Sequence, residues 1–442
     1  NQQRASFFNR IILGGFESFK YRFLIKFSKL LNGKYTKNIL VLSENELIIE
    51  FVSNLFLKGF LPMNLKEPDS KGLESFKIEE SKIKILRKRL DKVLKKRISE
   101  WAHPILIKNC MEYFFIESEK ILKEHNYWKE EFHSIFYKHK YLFKKEIIAV
   151  SNHSSSQKNL AAKSVLNNNK CKVFTFQHGV TAEISGTHNY CLSQHDSSST
   201  DFYFAFNKSS FKIAKENPFG ISKNFIYGAP KRYKRQRKLF KNGEIYPVLF
   251  LSNKLYKGNS GGLSTWSTDK EMANTEIKIM QILQKSKKQI YYKPYPQSFK
   301  RYVDPDPCDE ILKKQNKLNI IKSNYDARYM ISRAQLVICC SATSTLSWVI
   351  MSNIPLIFIN FSYIAPLKKE VELVLEKGIF LVNYNSKNFD ADILKIIDLP
   401  EKKIIEKWNN KYEYRKKAIE NYFSSNKEVD IFNVIKSASL HK

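Results

Sequence analysis

Cysteine is scarce and shows no pairing pattern: Cys110, Cys171, Cys191, Cys308, Cys339 and Cys340 are scattered through 442 residues with no CxxC spacing. This excludes a recognisable zinc motif or disulfide framework and fits a reducing compartment, so a cytoplasmic location is expected. Proline and glycine are also sparse, at 13 and 14 residues. With 43% hydrophobic and 14% aromatic residues, the chain has ample material for packed cores and does not read as disordered. No short repeat or low-complexity tract is present. Acidic residues are in short supply, 43 against 75 Lys plus Arg, for a formal charge of +32. Such a field draws polyanions: nucleic acid, anionic lipid headgroups or phosphorylated small molecules.

A membrane-length apolar run is missing too. Residues 334–367 carry no formal charge, but residues 341–344, Asn353, Pro355 and Asn360 divide them. Strand, turn, helix, strand is the expectation there. The first residues do not read as a signal peptide, since Arg10, Glu17, Lys20 and Arg22 interrupt the apolar stretches. Residues 1–36 instead interleave basic residues with Phe7, Phe8, Phe16, Phe19, Phe23 and Phe27. This suits either an interfacial helix on an anionic membrane or a basic helix packed on its own domain.

What is present is an alternation of apolar strands and amphipathic helices. Residues 38–43 read as a buried strand; Ser43 and Glu46 form a capping-box pattern opening a helix that Gly59 can end. Residues 82–97 hold nine basic residues with apolar positions at helical spacing, read as a solvated helix face by default and a lipid- or nucleic-acid-binding face otherwise. Helical patterns run on to about residue 141. Strands are expected at 146–150, 172–176, 202–206 and 224–227, with a helix at 157–166. Gly228-Ala229-Pro230 stops this half, and a basic connector comes next (Lys231, Arg232, Lys234, Arg235, Arg237, Lys238, Lys241). A second half shows strands at 248–252, 289–293, 318–321, 336–340 and 356–360, with helices at 274–285, 327–333 and 345–351. Helices fill the end from about residue 401. Two Rossmann-like α/β domains follow from this rhythm: 1–240 with a helical insertion, 241–400, and a helical tail at 401–442 expected to pack back on the first domain.

Three loops could carry chemistry, because ligands of open α/β sheets bind beyond the carboxyl ends of strands. Gln177-His178-Gly179 follows the strand at 172–176. There His178 could take a proton near neutrality and Gly179 permits close approach; an ordinary turn histidine is the plain alternative. Lys293-Pro294-Tyr295-Pro296 ends the strand at 289–293 and could hold an ammonium toward a phosphate, or be a simple loop. Ser341-Ala342-Thr343-Ser344-Thr345 opens the helix at 345–351 as an anion site, or as plain N-capping.

Placed in this order, these residues resemble GT-B glycosyltransferases of bacterial surface-polysaccharide (capsule and lipopolysaccharide) assembly. The likeness is to the group with a Gln-His-Gly turn, related to CDP-glycerol glycerophosphotransferases and to the CMP-sugar (sialic acid and Kdo) transferases. It covers roughly residues 146–360. It implies a catalytic base at His178, donor-phosphate contacts at Lys293, Pro294 and Pro296, and phosphate binding at Ser341, Thr343, Ser344 and Thr345. Gly228-Ala229-Pro230 is similar to the Gly-Ser-Pro that often closes the first domain. Tyr295 stands where the family usually has His and cannot carry its positive charge. Glu183 and Asp196 are secondary cleft candidates. The nine His are dispersed and Asp304-Pro305-Asp306 sits in a Pro-broken loop, so neither metal nor cofactor is expected.

The implied activity is metal-independent transfer from a nucleotide-activated, CMP-linked sugar to a glycan or lipid-linked acceptor, peripheral at an anionic inner-membrane surface. The alternatives are a CDP-glycerol-type polyol-phosphate transferase and a basic nucleic-acid-binding protein. Against the last, the charge is spread along the chain and no nucleic-acid motif appears.

Overall fold

The computed structural model describes residues 7–31, 37–63, 68–139, 146–152, 156–187, 196–218, 220–234, 245–252, 268–294, 318–321, 327–340, 342–361, 366–426 and 429–440. Two six-stranded parallel sheets organise them. The first holds β1 (Lys37–Val41), β2 (Phe60–Met63), β3 (Glu146–Ser151), β4 (Lys172–Phe176), β5 (Phe202–Ala205) and β6 (Lys223–Ile226), in the order β2-β1-β3-β4-β5-β6. The second holds β7 (Val248–Leu251), β8 (Ile290–Lys293), β9 (Leu318–Ile320), β10 (Val337–Cys339), β11 (Leu356–Asn360) and β12 (Phe380–Asn383), in the order β12-β11-β10-β7-β8-β9. Both are doubly wound α/β sheets, the Rossmann-like plan expected from the alternation. The strand order reverses between β1 and β3 in one and between β7 and β10 in the other, and those are the switch points where ligands bind.

The strands are built mainly of apolar residues, as parallel strands covered on both faces require, and Lys37, Lys172 and Lys223 stand at the first positions of β1, β4 and β6. Every residue of β5, β7, β8 and β11 is buried. In the first sheet Phe174 stacks on Phe202 at 4.7 Å and Phe204 on Phe225 at 5.5 Å between ring centres. Each fully buried ring of this kind contributes roughly 2–3 kcal/mol.

The helices are α1 (Phe7–Leu31), α2 (Glu46–Leu55), α3 (Glu80–Ser99), α4 (Pro104–Lys138), α5 (Gln157–Asn168), α6 (Lys208–Lys215), α7 (Lys231–Lys234), α8 (Asp269–Leu283), α9 (Arg328–Ile331), α10 (Ser344–Met351), α11 (Lys369–Gly378), α12 (Phe389–Ile397), α13 (Glu401–Asn410), α14 (Tyr412–Ala418) and α15 (Ile431–Leu440). Within α1 the backbone breaks at Gly15, whose φ of 72° only glycine adopts cheaply. Tyr21 and Leu24 of α1 are buried, so the helix packs on its own sheet, while Phe16, Phe19 and Phe23 stay exposed. The uncharged stretch from 334 to 367 resolves into β10, α10 and β11. No described helix is long and apolar enough to cross a membrane.

Some expectations need correction. The cap of α2 is Asn45, whose side chain accepts from the Ile48 N–H, and not Ser43. Ser43 is engaged instead with Asn152, the Asn152 N–H donating to its Oγ at 2.9 Å. Helix α8 begins five residues earlier than expected, on a Thr268–Glu271 capping box. Strand β2 was not expected; Pro62 is tolerated in it because β2 is an edge strand with β1 as its one neighbour. Strand β12 and helices α6, α11 and α12 were likewise not expected. Connector residues Arg235, Arg237, Lys238 and Lys241, together with Cys191, Cys308, Asp304 and Asp306, lie outside the described residues.

The segment after α14 reaches the first sheet. The Ser425 N–H donates to the Phe206 carbonyl at 2.9 Å, and Asn207 Nδ2 donates to the Tyr422 carbonyl at 2.9 Å. Gly228, at φ 89°, lies against this segment; a Cβ there would stand 3.0 Å from the Ser425 carbonyl oxygen.

Candidate functional site

Strand β4 carries the chain to its carboxyl end and delivers Gln177, His178 and Gly179 directly beyond it. Gln177 is buried and serves as a hub. Its Oε1 accepts from the Phe206 N–H at 2.6 Å, while its Nε2 donates to the Gly179 carbonyl at 2.9 Å and to Glu183 Oε1. Glu183 is buried as well and also accepts from the Thr181 N–H at 2.9 Å and from Asn207 Nδ2 at 3.3 Å. Burial pushes the Glu183 carboxyl above the usual carboxylate range, and these hydrogen bonds pull it partly back. The turn is thus held by the side chains of Gln177 directly after β4, Asn207 after β5, and Glu183 further along the same loop.

The His178 side chain is exposed at this rim. Its Nδ1 lies 3.3 Å from Asn152 Nδ2. The Asn152 amide is oriented by its surroundings: Nδ2 also donates to the Glu44 carbonyl at 3.2 Å, while Oδ1 accepts from Ser43 Oγ. An amide nitrogen facing Nδ1 makes Nδ1 an acceptor, so the neutral ring carries its proton on Nε2. Glu44 in turn accepts from Tyr21 Oη at 2.7 Å and pairs with Arg22 at 2.9 Å. The His178 N–H donates to Asp196 Oδ2 at 3.0 Å. Loss of hydration and the nearby Glu183 charge push the Asp196 carboxyl up to about 8, against the pull of that N–H.

On the second sheet, Lys293 closes β8 and is buried, its Nζ donating to the Pro294 carbonyl at 3.2 Å. Beyond β10 the chain turns into α10 at Thr343, Ser344 and Thr345. Thr343 holds the N-cap position but its side chain makes no capping hydrogen bond. Simple side-chain capping by Thr343 is therefore not what this hydroxyl does. The first-turn N–H groups of α10 stand at the switch point between β7 and β10, where a helix dipole favours an anion. Strand β8 lies two ladder spacings from β10, about 10 Å, so Lys293 flanks the same rim. Tyr295, Pro296 and Ser341 lie outside the described residues.

The two rims meet. A Cβ built on Gly179 would stand 3.2 Å from Ser344 Cβ, with Ser344 Oγ at 3.9 Å. The imidazole-bearing turn of the first sheet therefore abuts the helix start of the second, and a side chain at 179 would wedge them apart. Further contacts link the same two loops' neighbourhoods. The Gly186 N–H donates to the Pro366 carbonyl and the Lys368 N–H to the Ile184 carbonyl, each at 2.8 Å. Glu46, at the start of α2, pairs with Arg232 at 2.5 Å and with Arg328 at 3.4 Å. The Arg328 guanidinium also lies over the Trp348 ring of α10, 4.9 Å from its centre.

Of the residues singled out from sequence, Gln177, His178, Gly179, Glu183 and Asp196 form one network, which touches Ser344. Gly228 and Pro230 are buried instead at the base of the connector: Gly228 packs on Ser425, and the Tyr233 N–H donates to the Pro230 carbonyl at 2.9 Å. Sequence reasoning passed over Asn152 and Asn45, and read Glu46 only as part of a helix cap. The signal was present, since Asn152 directly follows β3 and Asn45 follows β1, both at the switch point of the first sheet.

No known family model and no curated protein sequence matches this chain. Solved structures share its general plan at a distance. One is a protein assigned as a UDP-N-acetylglucosamine 2-epimerase from Listeria monocytogenes, 12% identical, with 92% of this chain aligned to 97% of that one at a TM-score of 0.49. Another is the UDP-N-acetylglucosamine 2-epimerase of Rickettsia bellii, 10% identical over 92% of this chain and 98% of that one, TM-score 0.44. A third is MurG from Acinetobacter baumannii, 12% identical over 92% and 99%, TM-score 0.40. At such identities and scores these likenesses transfer no chemistry.

Proposed function

We propose that this chain is a glycosyltransferase. It moves a sugar from a nucleotide-activated donor, with a CMP-linked sugar as first candidate, to a glycan or lipid-linked acceptor of a bacterial surface polysaccharide. The reading divides the chain into an acceptor-side half (1–240), a nucleotide-side half (241–400) and a tail (401–442). One observation carries it: the Gln177-His178-Gly179 turn abuts the start of α10 at Ser344, at the carboxyl ends of two doubly wound sheets. That arrangement supports an anionic leaving group on the helix start with a titratable ring beside it.

In this reading the acceptor hydroxyl oxygen attacks the anomeric carbon as the bond from that carbon to the phosphate oxygen breaks. The electron pair leaves with the nucleotide. The N–H groups at the start of α10, the Ser344 hydroxyl and the Lys293 ammonium offset the charge that builds on the departing phosphate, the preorganised electrostatics on which such catalysis largely rests. A base role for His178, as the family resemblance implies, needs Nε2 unprotonated. The Asn152 contact at Nδ1 favours the opposite tautomer, so we assign His178 as a hydrogen-bond donor, through Nε2–H, to the departing phosphate. The acceptor proton ends on the released phosphate, whose second ionisation lies near pH ~6. A lipid-linked acceptor would bring the reaction to an anionic membrane face, where the charge of +32 favours attachment.

The test is a thermal-shift screen of the purified chain against CMP, CDP, UDP and GDP, followed by transfer assays with the donor of the matching nucleotide. The binding nucleotide should raise the melting temperature, and Ser344→Ala should reduce that rise. Absence of any shift with all four, or a product carrying a polyol phosphate in place of a sugar, would overturn the glycosyl reading.

A further inference from the structure

Helices α3 and α4 form an antiparallel hairpin between β2 and β3 that projects from the first sheet. Its root is well anchored. Tyr127, Trp128, Phe132 and Phe136 of α4 are buried against α5 and the sheet, and Tyr127 Oη donates to the Asp69 carbonyl at 2.5 Å. Its outer part is not. Helix α4 is 35 residues long, yet ahead of Tyr127 its one buried residue is Met111; in α3 the one buried residue is Ile98. At 1.5 Å per residue the distal part of α4 extends about 35 Å.

The two helices pack on each other through one stripe, tied by Arg87, which pairs with Glu119 at 2.5 Å and Glu112 at 3.5 Å. Exposed apolar residues run along the hairpin, Ile85, Val93, Phe114 and Ile121 among them, and the two most exposed of its apolar residues outside the root flank the turn. Trp101 in the turn is 67% exposed, Ile105 79%, Leu106 49% and Tyr113 62%. From Ile105 to Ile116 the outward half of α4 carries no charge: Ile105, Leu106, Asn109, Cys110, Tyr113 and Ile116 share it at helical spacing. Contiguous exposed apolar surface of this kind marks a contact site.

Charge selects the occupant. Helix α3 carries nine Lys and Arg against Glu80 and Asp91. Lys88, Arg89, Lys92, Lys95 and Lys96 are exposed and have no ion-pair partner among the described residues. Toward the tip, Lys95, Lys96 and Arg97 on one helix and Lys108 on the other straddle Trp101, Ile105 and Leu106; Arg97 is neutralised by Glu100 at 3.2 Å. Two hairpins of this chain packed together would crowd their basic α3 faces, which repel. An apolar tip inside a collar of lysines fits a bilayer instead, with the tip among the acyl chains and the ammonium groups snorkelling to phosphates.

We propose that the α3–α4 hairpin is the element that docks this protein on an anionic lipid surface, inserting Trp101, Ile105 and Leu106 below the headgroups. The proposal deepens the membrane placement above and stands apart from glycosyl transfer. It also moves the site of contact from residues 1–36 to the hairpin.

Flotation of the full chain with vesicles of phosphatidylcholine alone, or mixed with phosphatidylglycerol, tests it. Wild type should bind the mixed vesicles and lose binding at high salt. Two variants, Trp101→Ser/Ile105→Ser/Leu106→Ser and Lys92→Glu/Lys95→Glu/Lys96→Glu, should each weaken binding about tenfold or more. Nucleotide-induced melting shifts should be unchanged, which separates this inference from the transferase reading. A second measurement guards against damaged folding: vesicles should shift wild-type tryptophan emission to the blue, and Trp101→Phe should abolish most of that shift. Full binding by both hairpin variants, with loss on Phe16→Ser/Phe19→Ser/Phe23→Ser, would move the site to α1 and overturn the proposal. Absence of vesicle binding together with a hairpin-dependent dimer, or with salt-sensitive retention of an oligonucleotide, would overturn it also.

Discussion

The rims of the two sheets solve the same problem with different means. At the first, position is enforced by side chains: Gln177, Glu183 and Asn207 are buried and bonded to one another, and Asn152 fixes the ring of His178. At the second, the offered groups are backbone N–H at the start of α10, and behind them Ala342, Leu346, Val349 and Ile350 are buried. An imidazole must be aimed and kept in one tautomer, so its rim needs a polar scaffold. A phosphate is met by a dipole that the helix already possesses, so its rim needs only an apolar bed.

Breaking the scaffold should therefore cost stability at the first rim most of all. Glu183→Leu takes one of the two acceptors from each of the Gln177 and Asn207 amides and removes the acceptor of the Thr181 N–H, and should cost about 3 kcal/mol, lowering the melting temperature by roughly 8 °C. A calorimetric scan within a degree of wild type would show that the network is ornamental. Gly179→Val acts where the rims meet. Its side chain would press on Ser344, so the melting temperature should hardly change, while kcat/KM for transfer should fall about 100-fold. Wild-type turnover would mean the two loops do not work together.

Asn152→Asp sharpens the assignment of His178. A carboxylate at 152 accepts from Nδ1–H and raises the ring pKa, so in an assay run above that pKa the neutral ring is shifted to the tautomer with a bare Nε2. As a donor, His178 should then lose roughly tenfold in kcat; a rise in kcat would restore the base role. Asp196→Asn gives the smallest effect. The folded-state pKa of Asp196 is raised to about 8, so its contribution to stability is fully present below the ordinary carboxylate range and is lost as pH climbs toward 8. The variant should melt like wild type near pH ~4 and roughly 2 °C higher near pH ~9, the half-buried setting of Asp196 keeping the difference small.

The same contrast governs how much was legible in sequence. Strands β4 and β11 were readable to the residue, because a parallel strand buried on both faces is a mostly apolar run ending in polar residues. The loops after β4 and β10 were readable for the same reason, since the end of an apolar run marks where a rim loop begins. The scaffold was not readable. Asn152 and Asn207 reach the site from other strands, 26 residues before His178 and 24 after Glu183, and nothing local marks a pairing made by topology. Ser43 shows the cost of local reasoning, since its spacing to Glu46 imitates a capping box that Asn45 in fact closes. Strand β2 escaped because it is four residues long and contains Pro62. The hairpin tip shows the reverse case: helical periodicity was plain, but which stripe stayed exposed depended on what α4 left uncovered.

Amide hydrogen exchange, run with and without each of CMP, CDP, UDP and GDP, tests most directly whether one ligand is shared by both rims. One of these nucleotides should slow exchange in residues 177–181 and in residues 343–347 together, more than elsewhere in either sheet. Protection confined to one of the two segments, or falling on neither while a nucleotide binds, would contradict the account.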